Sequence, residues 1–173
     1  DLSVGSNIAL TGMIAALAMQ HGVPWWMAAL LAIVTGVAVG LFNGMAVHYG
    51  KMPPFIVTFA TFGISASIPK ILTQAKSVTI SDPMFAFFGR GKFLGIPIPI
   101  IIALLAALVL GLMLKRTASG VHIYAVGGNK ETARLAGINI ARTTILVYVI
   151  SGVTASLGGI ITASRLMVGY PTA

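Results

Sequence analysis

Five apolar runs, each near twenty residues and separated by polar breaks, dominate this sequence: Leu2–Met19, Trp25–Val47, Pro54–Leu72, Ile98–Leu114 and Thr143–Ala163. A helix needs about 20 residues at 1.5 Å each to cover roughly 30 Å of hydrocarbon. Inside lipid the backbone polar groups have no water to bond, so runs of this length cross as helices. The expected fold class is all-α: a polytopic helical membrane protein with about five transmembrane helices. Charge agrees, because hydrophobic residues make up 57% of the chain and charged residues only 8%, against roughly 25% charged in a soluble domain. Eleven bases and three acids cannot coat a soluble fold of 173 residues, so the apolar surface must face lipid.

The breaks read as turns. Gln20-His21-Gly22-Val23-Pro24 closes a helical hairpin, and Trp25 and Trp26 behind it suit the headgroup layer. In His48-Tyr49-Gly50-Lys51-Met52-Pro53, the Pro53-Pro54 pair cannot continue the preceding helix. Residues 73–97, with Asp82-Pro83 and Gly89-Arg90-Gly91-Lys92, read as an ordered loop outside the membrane. Orientation does not follow from charge. One side would carry Lys51, Lys115, Arg116, Lys130, Arg134 and Arg142, the other Lys70, Lys76, Arg90, Lys92 and Arg165, and the positive-inside rule needs a clearer excess. Asp1 opens directly on a span without a signal peptide, and Thr172-Ala173 ends without cap or basic anchor, so a fragment of a longer chain is expected.

A net charge of +8 would ordinarily raise nucleic-acid binding. Here the bases lie almost wholly between the apolar runs, where they meet lipid headgroups, and form no stripe with interleaved aromatics. Nucleic acid is therefore not an expected partner, whereas membrane lipid is. The chain has no cysteine, which removes disulfides, thiolate metal sites and cysteine nucleophiles. His21, His48 and His122 all fall in connections without Asp or Glu at metal-ligand spacing, so no metal site is expected. No Gly-x-Ser-x-Gly or Gly-x-x-x-x-Gly-Lys occurs, so neither a serine hydrolase site nor a nucleotide phosphate loop is built. No ionisable group is expected at mid-membrane: Asp1 and Lys70 lie near span ends, where a side chain can reach water. The expectation is a chain that is not an enzyme, with no catalytic residue.

Gly36, Gly40 and Gly44 recur at four-residue spacing and leave one helix face bare, while Gly152, Ser156 and Gly159 form a similar strip on the fifth run. Such faces let helices approach closely in lipid, and helix packing is their expected role, with a gating hinge as the alternative. Polar residues also share faces: Asn7 with Thr11, and Thr58 with Thr61 and Ser65. They are candidates for a hydroxyl-lined translocation pathway, against the alternative that Ser and Thr bond to their own helix carbonyls or to neighbours. Asn43 carries the same two readings.

The stretch from Lys115 to Arg142 is the most hydrophilic. Its centre has the grammar of one short helix: Gly127-Gly128 for a turn, Asn129 as N-cap, Glu131 near the start, Arg134 nearer the end and Gly137 just past it. Two turns of helix do not persist alone, so this one needs a surface to dock on, either in this chain or on another subunit.

Three blocks make the chain similar to the permeases of bacterial carbohydrate-type ATP-binding-cassette importers, the ribose, xylose and galactose group. They are Asp1-Leu2-Ser3-Val4-Gly5-Ser6, Pro54-Phe55-Ile56-Val57-Thr58, and Ile123 to Asn129 continuing through Ala136-Gly137-Ile138-Asn139. Arg165-Leu166 and Pro171-Thr172-Ala173 resemble the family's continuation into its next segment, so the likeness runs through the whole chain, about half of a family member. Where the family often has Arg-Gly in the third span, this chain has Ala66-Ser67, followed by Pro69.

The resemblance implies that Gly127, Gly128, Asn129, Glu131, Arg134, Gly137 and Asn139 belong to a cytoplasmic coupling helix docking on an ATPase subunit. It makes residues 115–142 a cytoplasmic coupling loop and 73–97 extracytoplasmic, within one partial transmembrane permease domain, residues 1–173. It also implies a second permease subunit, in a homo- or heterodimer, an extracytoplasmic sugar-binding protein, and a place in the bacterial cytoplasmic membrane as a multi-pass protein. The chain itself would hold no cofactor, ATP being bound and hydrolysed by the separate ATPase subunit. The expected function is import of a sugar or sugar-like solute. The alternative is a secondary transporter or channel for a small polar solute, which the shortage of intramembrane charge disfavours.

Overall fold

A computed structural model describes residues 1–171; of the terminal Pro171-Thr172-Ala173 likeness, Thr172 and Ala173 lie outside the described residues. The helices are α1 (Val4–Gln20), α2 (Trp25–His48), α3 (Pro54–Thr73), α4 (Pro83–Arg90), α5 (Ile98–Arg116), α6 (Ala118–Gly128), α7 (Lys130–Leu135) and α8 (Ile140–Leu166). Four of them, α2, α3, α5 and α8, are long and apolar enough to cross a membrane. The first expected span is shorter: α1 has 17 residues, about 26 Å of helix, and starts at Val4 rather than Leu2. One face of its start, Ser3, Ser6 and Asn7, is buried while Asp1, Leu2 and Gly5 are exposed, so α1 enters the bundle with a polar face inward.

The other boundaries move outward. Asn139 caps α8 by accepting from the Arg142 amide at 2.9 Å, so this helix starts three residues before the expected Thr143 and runs on to Leu166. Residues 73–97 hold more than a loop. Asp82 accepts from the Met84 and Phe85 amides and Pro83 takes the first turn, which together start α4. Phe85 is fully buried in a core with Met13, Ala16, Ala32 and Ile160, and Phe88 meets Trp25 at 5.5 Å between ring centres. The main apolar core thus sits at one end of the bundle, with α4 laid over it. Ser164 of α8 holds α4 there, accepting from the Gly89 amide at 2.7 Å and donating to the Phe85 carbonyl.

Two short antiparallel pairs complete this end. β1 (Val78–Thr79) pairs with β4 (Val168–Gly169), tying the chain after α3 to the chain after α8. β2 (Lys92–Phe93) and β3 (Ile96–Pro97) form a hairpin whose turn residues, Leu94 and Gly95, both have positive φ, the turn that matches strand twist. At the opposite end lie the α2–α3 turn and the α6–α7 segment. Among the described residues none of α5 is buried, so this helix touches the bundle only near its ends and leaves its length free for lipid or other protein.

Candidate functional site

The glycines of α2 and α8 face each other. A Cβ on Gly44 would come within 2.7 Å of the Ile145 Cα, one on Gly40 within 2.8 Å of the Val149 Cα, and one on Gly36 would overlap Ser156 Oγ. Gly152 lies against the Gly36 carbonyl, and Gly159 against Thr11 and the Ile8 carbonyl of α1. These distances leave room for hydrogen alone, so α1, α2 and α8 meet backbone to backbone. Ser156 directs its hydroxyl to the Gly152 carbonyl at 2.8 Å, which keeps the seam without an unmatched donor.

On this seam rests a polar network, buried at Thr61, Asn43 and Ser3 and open at Asp1. Thr61 Oγ1 donates to Asn43 Oδ1 at 2.6 Å, Asn43 Nδ2 donates to Ser3 Oγ at 3.0 Å, and Ser3 donates from its hydroxyl and amide to Asp1 Oδ1 at 2.7 and 2.9 Å. Ser151 completes it by donating to Asp1 Oδ2 at 2.7 Å. Four helices are joined: α3, α2, the start of α1, and α8. Asp1 precedes α1 and is exposed, in keeping with a place at a span end. Its partner Ser151 is the twelfth residue of α8, roughly 16 Å along that helix.

The five candidate pathway residues, Asn7, Thr11, Thr58, Thr61 and Ser65, are all buried, with Thr11 against Gly159 of α8 and Thr61 against Asn43 of α2. Thr11 donates to the Asn7 carbonyl at 2.8 Å, Thr58 to the Pro54 carbonyl at 2.9 Å, and Thr61 to both Asn43 and the Val57 carbonyl. Among the described residues, Asn7 Oδ1 is a buried side-chain atom without a hydrogen-bond partner. Pro69 is buried inside α3, and Ser67 bonds its own helix at the Gly63 carbonyl.

At the other end of α8 stands α7. Asn129 caps it, accepting from the Thr132 amide at 3.0 Å. Gly137 ends it at φ +78°, with the Ile138 amide donating to the Ala133 carbonyl and the Gly137 amide to the Arg134 carbonyl, the paired closure that favours glycine at this position. Ala133 is buried at 2% exposure and turns α7 onto the bundle, while Leu135 is 78% exposed. Glu131 and Arg134 pair with each other on the exposed side.

The expected glycine turn is different in kind. Gly127 and Gly128 are the last residues of α6, which Thr117 starts by accepting from the Gly120 amide; His122 accordingly lies in a helix. The Thr117 cap was the available signal for α6. Sequence reasoning also missed Val121 and Tyr124, which are exposed on α6. Asn139 spends its side chain on capping α8.

Between α6, α7, α8 and the α2–α3 turn lies a cleft of about 340 Å3 with Asp1 and Ser151 in its lining and Lys130 of α7 also bordering it.

Alternating apolar helices, with two short helices held at one end, define a multi-pass helical membrane protein. The chain belongs to the family described as "Branched-chain amino acid transport system / permease component", which it matches over residues 1–173, and it is an inner-membrane protein. It is 38% identical over 174 residues to the D-allose transport system permease protein AlsC of Escherichia coli K12, covering 100% of this chain and 53% of that one. The ribose import permease protein RbsC of Bacillus subtilis 168 is 37% identical over 175 residues, with 100% and 54% covered. The L-arabinose transport system permease protein AraH of Escherichia coli K12 is 36% identical over 171 residues, with 99% and 52% covered. The chain thus spans about half the length of these curated relatives. No solved structure matches it at a significant level.

Proposed function

We propose that this chain forms part of the membrane-spanning permease of a bacterial ATP-driven importer for a sugar or sugar-like solute. The observation that carries this reading is α7: a helix of 6 residues, too short to persist alone, capped at both ends, with Ala133 buried beneath it and Glu131, Arg134 and Leu135 exposed. Such an element serves a protein partner better than a lipid one. The partner is an ATPase subunit that binds and hydrolyses ATP, so this chain supplies neither catalysis nor cofactor. A second permease subunit and an extracytoplasmic sugar-binding protein complete the importer.

The family description speaks of branched-chain amino acids, whereas the relatives aligned over the whole chain are named for ribose, D-allose and L-arabinose. The relatives support a sugar. In this reading residues 1–173 are one membrane domain, residues 115–142 face the cytoplasm and residues 73–97 the outside. Asn7, Thr11, Thr58, Thr61 and Ser65 reach the pathway when the helices packed around them separate.

The test is affinity purification of the full-length protein with its candidate ATPase, followed by uptake of labelled D-ribose, D-allose and L-arabinose into proteoliposomes. Co-purification and uptake that stops without ATP are expected. Uptake by the permease alone would overturn the reading in favour of a secondary transporter or channel.

A further inference from the structure

The cleft beneath α7 contains chemistry that packing does not use. Thr144, Tyr148 and Ser151 line it at i, i+4 and i+7 on α8, one face of the helix descending from the α7 end into the bundle. At the foot of that face is the Asp1 carboxylate. Its Oδ1 accepts twice from Ser3 and its Oδ2 once from Ser151. A carboxylate offers about four acceptor positions, so one position on Oδ2 has no donor among the described residues, and Asp1 is exposed to the cleft.

We propose that this cleft holds a monosaccharide on the α7 side of the bundle, with Asp1 accepting from a sugar hydroxyl beside the Ser151 hydroxyl and the Tyr148 ring covering the sugar's C–H face. The inference rests on the importer reading and names the binding position within it. Its size, about 340 Å3, falls in the range of small-molecule sites, which combine mostly apolar walls with a few placed polar groups. Hydroxyl groups supply the donors that Asp1 lacks without requiring a counter-charge. Because Lys130 at the start of α7 borders the same cleft, displacement of α7 changes the space around the sugar directly.

The absence of cysteine from this chain provides the test. Val147→Cys, and separately Thr144→Cys, are placed in the full-length protein on a background with no other cysteine, and labelling by N-ethylmaleimide is timed in inside-out membrane vesicles. D-ribose, D-allose, L-arabinose, glycerol and L-leucine are each added as protectants. At about ten times its dissociation constant a bound sugar should slow labelling about tenfold, since only free sites react. Protection should come from at least one sugar, not from glycerol or leucine, and should be lost with Asp1→Asn or Ser151→Ala. Labelling at full rate with every sugar overturns the proposal, as does protection by leucine alone, protection that survives both substitutions, or failure of both cysteines to label. None of these results bears on whether the ATPase co-purifies, so the importer reading stands or falls separately.

Discussion

Thr61 of α3 donates its hydroxyl to Asn43 of α2 across 2.6 Å, and Asn43 is wholly buried. This contact fixes the crossing of two helices that the α2–α3 turn would otherwise leave free to slide. Thr61→Val keeps the shape and removes the donor, leaving Asn43 Oδ1 without it. Interhelical hydrogen bonds in membranes are worth about 0.6 kcal/mol on average and up to about 1.7. The variant should therefore lose about 1 kcal/mol in a detergent unfolding titration and transport more slowly, with its ATPase still bound. Unchanged stability and uptake would mean that the Val57 carbonyl alone satisfies Thr61.

Gly40→Leu should be far more damaging. Its first side-chain carbon would already lie 2.8 Å from the Val149 Cα and closer still to the Tyr148 carbonyl, so α8 must move away. Overpacking of this kind costs about 1–3 kcal/mol. Abundance of the full-length protein in membranes and its melting temperature should both fall. Gly63→Ala is the contrast, since nothing stands within 4 Å of a Cβ there. Equal effects at the two positions would contradict the α2–α8 seam.

Charge exchange on α7 separates docking from folding. Glu131→Lys with Arg134→Glu keeps an ion pair on the exposed side of α7 but reverses the field it presents. Exposed substitutions usually change fold stability by about 0.5 kcal/mol or less, whereas charge reversals in interfaces can cost several kcal/mol. The double variant should melt normally, yet lose the ATPase on co-purification and lose ATP-driven uptake. Retention of both would remove α7 from the interface.

Gly137→Val tests the shape of the same element. The residue sits at φ +78°, where a β-branched side chain is strained by roughly 1–2 kcal/mol. Hydrogen exchange at the Gly137 and Ile138 amides, which close α7 onto Arg134 and Ala133, should accelerate, and ATPase association should weaken. Unaltered exchange would show that α7 does not depend on this closure.

The sequence by itself determined that the chain is a helical membrane protein, because twenty apolar residues in a row leave lipid as the solvent and helix as the backbone's solution. It also determined α7 almost to the residue, since Asn129 and Gly137 are local signals, each acting through the backbone within a few positions. Tertiary structure alone decided what faces what. The glycines of α2 announced a smooth face but not that α8 covers it, and nothing around Asp1 announced its contact with Ser151. That contact follows from Ser3, Asn43, Thr61 and Ser151 converging across positions as far as 150 residues apart. Such convergence depends on how rigid helices cross, which leaves no periodic trace in any one of them.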